Sequence, residues 1–212
     1  VAIVWPCALS VDEYLAAGRN VDIPRADCPE CGKPMEFRSG YERHVRAGGI
    51  SAPAWVARGQ CVPCRRSHAL LPSFLLVGRL DVVSAVGGVI VAVVDGSGGV
   101  RPAAGAADVP HTTARDWVRR FSRRAPALGA GFAALAVELG DPGSAARPGA
   151  HPVGLALGAI RGAWRAGLAR AGVAGVALWA FASIVSGGRL LGTTSDPLWF
   201  VIGSRRFMPP AP

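Results

Sequence analysis

The sequence predicts a mainly α-helical fold with a small β-ribbon near its N-terminus, an α+β arrangement that contains a helix-turn-helix. Three observations carry this expectation. Two Cys-x-x-Cys pairs bracket a stretch of alternating side chains, an apolar run follows at 82–94, and apolar residues between 114 and 121 recur at helical spacing. A chain of 212 residues has room for one or two small domains with a real core. The expected division is 1–72 for an N-terminal segment and ribbon, 73–125 for the helix-turn-helix, and 126–212 for a helical region with a Pro-rich tail.

Taken in chain order, residues 1–5 are a short apolar stretch. Ser10 followed by Glu13 forms a capping-box signature and predicts a short helix over 11–17. Between the cysteine pairs, residues 35–41 and 55–58 alternate like strands, with Gly40 and the Gly48-Gly49 pair as turns. The apolar segment opened by Asp81 reads as a helix that ends at the Gly-rich break 95–99. Residues 100–124 read as two helices with a tight turn. Residues 140–152 are dense in Gly and Pro and read as a linker, and 204–212 as an extended tail. The apolar run 171–186 is expected to be a buried helix. It has 16 residues where a membrane span needs about 20, so no membrane partner is expected.

Cys28-Pro29-Glu30-Cys31 and Cys61-Val62-Pro63-Cys64 are separated by 29 residues. Each pair can set two thiolates on one side of a tight turn, and two facing turns supply the tetrahedral four-sulfur shell of a structural Zn2+. Gly32 can take the positive φ that turns backbone N–H groups toward the sulfurs. A dithiol redox motif would need only one pair beside a βαβ pattern, and none is visible. Four thiolates leave no position for water, so the expected zinc is structural. His44 and His68 lie within or near the ribbon; with the cysteines in place they are expected at the surface or in packing. Cys7 is expected to be a small buried thiol.

In the helical hairpin, Ala103, Ala104 and Ala107 give the first helix a small-residue face that lets the second cross closely. Asp108-Val109-Pro110 makes the turn, with Asp108 where such turns usually carry Gly. Ala114, Trp117, Val118 and Phe121 form the buried stripe of the second helix. His111, Thr112 and Arg115, early in that helix, are the expected base contacts, and Arg119, Arg120, Arg123 and Arg124 the expected phosphate contacts. Residues 101–124 hold six Arg and two Asp, a local excess of four positive charges.

The whole chain carries a formal charge of +9, which fits a polyanionic partner, although Lys33 is its only lysine and an Arg-rich composition of this kind marks a GC-rich genome. The first 20 residues have no basic n-region and no long apolar run, so a cytoplasmic, nucleoid-associated protein with reduced thiols is expected.

The two cysteine pairs, His68-Ala69-Leu70-Leu71-Pro72, residues 109–121, and the C-terminal Ser186-Gly187-Gly188-Arg189 and Arg205-Arg206-Phe207 together resemble an uncharacterised actinobacterial family with a zinc ribbon and helix-turn-helix, a domain of unknown function. The same order is similar to the N-terminal half of insertion-element transposases. The resemblance implies double-stranded DNA as partner, in a mobile-element or regulatory setting, with a homodimer or a separately encoded transposase as further partners. No enzyme is expected. After residue 125 the acidic residues are Glu138, Asp141 and Asp196, which do not compose a two-metal carboxylate site, and no phosphate-binding glycine loop is present. The competing expectation is a zinc-stapled protein-interaction module, or the DNA-binding subunit of a split transposase.

Overall fold

A computed structural model describes residues 2–96, 98–141, 151–171 and 175–192. Its elements are β1 (Ala2–Trp5), α1 (Val11–Ala17), a 3-10 turn (Gly18–Asn20), β2 (Glu36–Ala47), β3 (Ile50–Gln60), β4 (Ser67–Pro72), α2 (Val83–Val94), α3 (Val100–Ala106), α4 (His111–Glu138), α5 (Pro152–Ala171) and α6 (Leu178–Val185). The fold is mixed α and β, and its sheet is broader than a ribbon. The strand order is β1-β4-β3-β2, with β1 parallel to β4 and the other neighbours antiparallel. β1 is the short apolar stretch at the start of the chain; Ile3, Val4 and Trp5 are buried, and burial on both faces is what a parallel edge partner demands.

The predicted capping box closes α1. The Glu13 N–H donates to the Ser10 hydroxyl, and the Glu13 carboxylate accepts from the Ser10 N–H at 2.8 Å. That turn delivers Tyr14, fully buried, against the sheet, where its hydroxyl donates to the Trp55 carbonyl at 2.7 Å. Trp55 lies over Gly40, where any side chain would collide with the indole, and Arg19 stacks on its ring at 4.5 Å.

Two hydrophobic clusters share the interior. One fills the space between the sheet and α1. The other joins α2 to α6 around Trp117, Phe121, Leu128, Phe132 and Ile160. Residues 73–82 bind the two together. Arg43 on β2 donates to the carbonyls of Leu76 and Arg79. Arg46 pairs with the buried Asp81 at 2.9 Å, and its backbone bonds Leu80 and Val82. From the other side, the buried Ser183 hydroxyl of α6 donates to the Leu75 carbonyl at 2.7 Å.

Three expectations about the helices change. Asp81, which opens the apolar segment, lies outside α2: the helix starts at Val83 after the cap Val82, and the carboxylate pairs with Arg46. α4 does not stop near 124 but runs on through Pro126 to Glu138, passing residue 125, where composition places a domain boundary. Its buried side chains Ala125, Leu128, Phe132 and Leu135 continue the stripe begun by Ala114 and Trp117, so packing against α5 outweighs the proline. The apolar run 171–186 is not one helix: Ala171 ends α5, and among the other described residues of the run only Leu178–Val185 is helical. Most of the expected linker and all of the Pro-rich tail lie outside the described residues. No helix among the described residues is long and apolar enough to cross a membrane.

Candidate metal centre and basic helix face

The four cysteines of the two pairs meet at the end of the sheet away from the β2–β3 turn. Cys28 and Cys31 precede β2, while Cys61 and Cys64 follow β3 and precede β4. The two knuckles have the same backbone plan. The Cys28 N–H donates to the Lys33 carbonyl and the Cys61 N–H to the Arg66 carbonyl, each at 2.8 Å. Gly32 takes the predicted left-handed conformation at φ 70°, and Arg65, in the equivalent place of the second knuckle, does so at φ 56°. A non-Gly residue there carries strain, which the knuckle geometry must hold in place. Glu30 of the first knuckle and Arg66 of the second close the pair with an ion pair at 3.1 Å.

All four sulfurs lie within 4.8 Å of one another, and Cys31 and Cys61 are 3.4 Å apart. Cys28 and Cys61 are buried, Cys64 is half-buried and Cys31 is exposed. Thiols this close cannot all ionise without a cation. The Lys33 N–H, with Cys64 and Cys61 beside it, pulls Cys31 down to about 7, while proximity to Cys31 and burial push Cys64 up to about 12. A soft four-sulfur donor set this compact fits Zn2+. Cys28, Cys31, Cys61 and Cys64 would hold it, and bound there it supplies a cross-link between the two knuckles.

The remaining candidates fall where expected or near it. His44 is exposed on β2. His68 is buried at the start of β4, with Nε2 3.8 Å from the Cys28 sulfur, a proximity that spacing alone did not reveal. Cys7 is half-buried, and burial raises its thiol above the ordinary range.

α3 and α4 form a close helical hairpin. Ala103 and Ala104 are buried in it. The turn rests on Asp108 at φ 51°, the position where Gly is usual, and the Val109 N–H donates to the Ala104 carbonyl at 3.0 Å. Asp is among the few residues that visit this conformation readily. Pro110 stands one place before the first helical residue, at the cap. The β2–β3 turn lies against this corner: a Cβ on Gly49 would sit 3.6 Å from the Asp108 carboxylate.

Along α4, Thr112, Arg115, Arg119 and Arg123 are exposed, and Arg101 is exposed on α3. His111 is half-buried at the first turn. Asp116 gathers guanidinium groups, with Arg120 at 2.6 Å, Arg119 at 2.7 Å and Arg79 at 3.8 Å. Arg120 and Arg119 hold its carboxyl below the usual range. Arg124 points elsewhere. It is half-buried, donates to the Gly192 carbonyl at 3.1 Å, and is lowered by burial and by the neighbouring Arg189.

Fold and site thus define a mixed α/β protein in which a four-cysteine cluster of metal-site geometry is joined to a helical layer. Residues 28–106 match the model of a domain of unknown function, DUF6431. The match opens on Cys28, takes in both knuckles, β2 to β4, α2 and α3, and ends before α4. Comparison with curated proteins and with solved structures finds no match.

Proposed function

We propose that the protein binds double-stranded DNA through the exposed face of α4, with a structural zinc in the four-cysteine cluster, and that it catalyses no reaction itself. The observation that carries this reading is the line of Thr112, Arg115, Arg119 and Arg123, all exposed, on a helix that follows a tight turn from α3. The line spans about 16 Å at about 1.5 Å per residue, half of the ~34 Å that one turn of B-DNA occupies. Thr112 and Arg115 sit at the N-terminal end, where a recognition helix meets base edges, and Arg119 and Arg123 further along, where guanidinium groups meet phosphates. Arg120 and Arg124, both half-buried, contribute to packing and charge balance in this reading rather than to direct contact.

The zinc's part is mechanical. Binding energy of four thiolates for the ion is folding energy for a knuckle pair with little core of its own. The long β2–β3 hairpin carries that rigidity to its turn beside Asp108, at the corner that orients α4. The setting in this proposal is a cytoplasmic, nucleoid-associated regulator or the end-binding half of a transposition system.

The test is a gel-shift titration of the full chain on duplex DNA across salt. The two phosphate contacts, Arg119 and Arg123, give a log–log slope of about −2, at roughly −0.9 each. Binding that ignores salt, or no binding at low ionic strength, contradicts the reading and leaves the protein-interaction module as the account of the basic face.

A further inference from the structure

All four sulfurs belong to the two short knuckles, and the Cys28 sulfur has in addition a neighbour from β4. His68 is the second residue of β4, paired with Gly59 of β3, and is 1% exposed. Its Nε2 is 3.8 Å from the Cys28 sulfur. The ring is not a member of the cluster, whose ligand atoms are the four sulfurs alone. It therefore stands just outside the coordination shell, against one ligand.

A metal-bound thiolate has no proton to give, so a ring nitrogen in contact with it must be the donor. Four thiolates around a divalent ion leave a net charge of about −2 in a partly buried place, and N–H groups aimed at the sulfurs offset it. The Lys33 N–H serves Cys31 in this way, and the Cys64 N–H serves Cys61. We infer that His68 is a positioning residue of the metal centre, its Nε2–H hydrogen-bonded to the Cys28 thiolate. The inference rests on reading the four-cysteine cluster as a metal site. It ties the Cys28 ligand to β4, the strand that lies between β1 and β3.

The test uses the full zinc-loaded chain, in competition with a chromophoric chelator. His68→Phe keeps a buried ring and removes the donor; His68→Gln keeps an N–H donor. The expected result is a loss of about 10- to 100-fold in zinc affinity for His68→Phe, most of it recovered by His68→Gln. With Co2+ in place of zinc, the thiolate-to-metal charge-transfer band shifts in His68→Phe and returns toward the wild-type position in His68→Gln, a change that loss of packing alone does not produce. In the wild-type protein, 15N NMR of the loaded form finds the proton on Nε2, which needs no variant to fold. An Nε2 without a proton, or a His68→Phe chain that matches wild type in affinity and band position, overturns the role of His68 and leaves the metal site standing. A wild-type chain that takes up neither zinc nor Co2+ overturns the metal site and His68 together.

Discussion

At the scale of single residues, positions that pattern alone ranks as ordinary hold the structure most tightly. Gly87 on α2 faces Trp179 of α6, and a Cβ there would meet the indole at 2.0 Å. Gly87→Ala should therefore cost about 1–3 kcal/mol through overpacking, read as a drop in the denaturant midpoint at unchanged slope. An unchanged midpoint would mean that Trp179 moves aside freely. The Asp81 carboxylate is nearly buried and relies on Arg46. Arg46→Met leaves that charge unpaired, so a loss of about 3 kcal/mol is expected, and it should shrink when Asp81→Asn is added in a double-mutant cycle. Independent, additive effects would show that the pair is not coupled. Gly32, Ser10 and Glu13 were legible in the sequence because each acts through its own backbone neighbourhood. Asp81 and Arg124 were not. Asp81 is claimed by an arginine 35 residues away, and Arg124 by a carbonyl 68 residues away, and such partners leave no trace in local spacing.

At the scale of elements, the knuckles should answer to pH and metal before the rest of the chain does. In the metal-free protein Cys64 is held protonated by a pKa near 12, and Cys31 is half-ionised near 7. Coordination requires thiolates, so zinc uptake at neutral pH expels protons, and affinity rises as pH rises through the range in which those thiols titrate. Calorimetry in buffers of different ionisation enthalpy should show release of more than one proton per zinc; uptake with no release would contradict the cluster's assignment. Chelation should open residues 28–35 and 60–66 to hydrogen exchange while the α4–α5 pair keeps its protection, because the cluster around Phe121, Phe132 and Ile160 contains no cysteine. α1 and the two knuckles were readable from sequence for the same reason that they can respond locally: their determinants are short-range. α4 was readable only in part. Its expected end at 124 lies just before Pro126, and the contacts that carry the helix past that proline come from α5, on the far side of a Gly- and Pro-rich stretch. β1 likewise needs β4, 67 residues on in the register Ala2 to Ala69, before it is a strand.

At the scale of the whole molecule, the two clusters of the interior meet at residues 73–82, held by Arg43 and Arg46 from the sheet and by Ser183 from the last described helix. A sheet that ends in the four-cysteine cluster and an arginine-bearing helix are thereby placed in one frame. In the proposed function, Arg115→Ala relaxes base preference, whereas Arg123→Ala weakens binding to all sequences alike and lowers the salt slope by about 1; equal effects on both readouts would undo the division between base and phosphate contacts. The measurement that bears most directly on the account compares duplex-DNA binding by the zinc-loaded chain with that of a chain carrying Arg115→Ala, Arg119→Ala and Arg123→Ala together, at one low salt concentration, with zinc content checked in both. The account predicts that the triple variant keeps its metal and loses affinity by on the order of tenfold or more. Equal binding by the two proteins would contradict it.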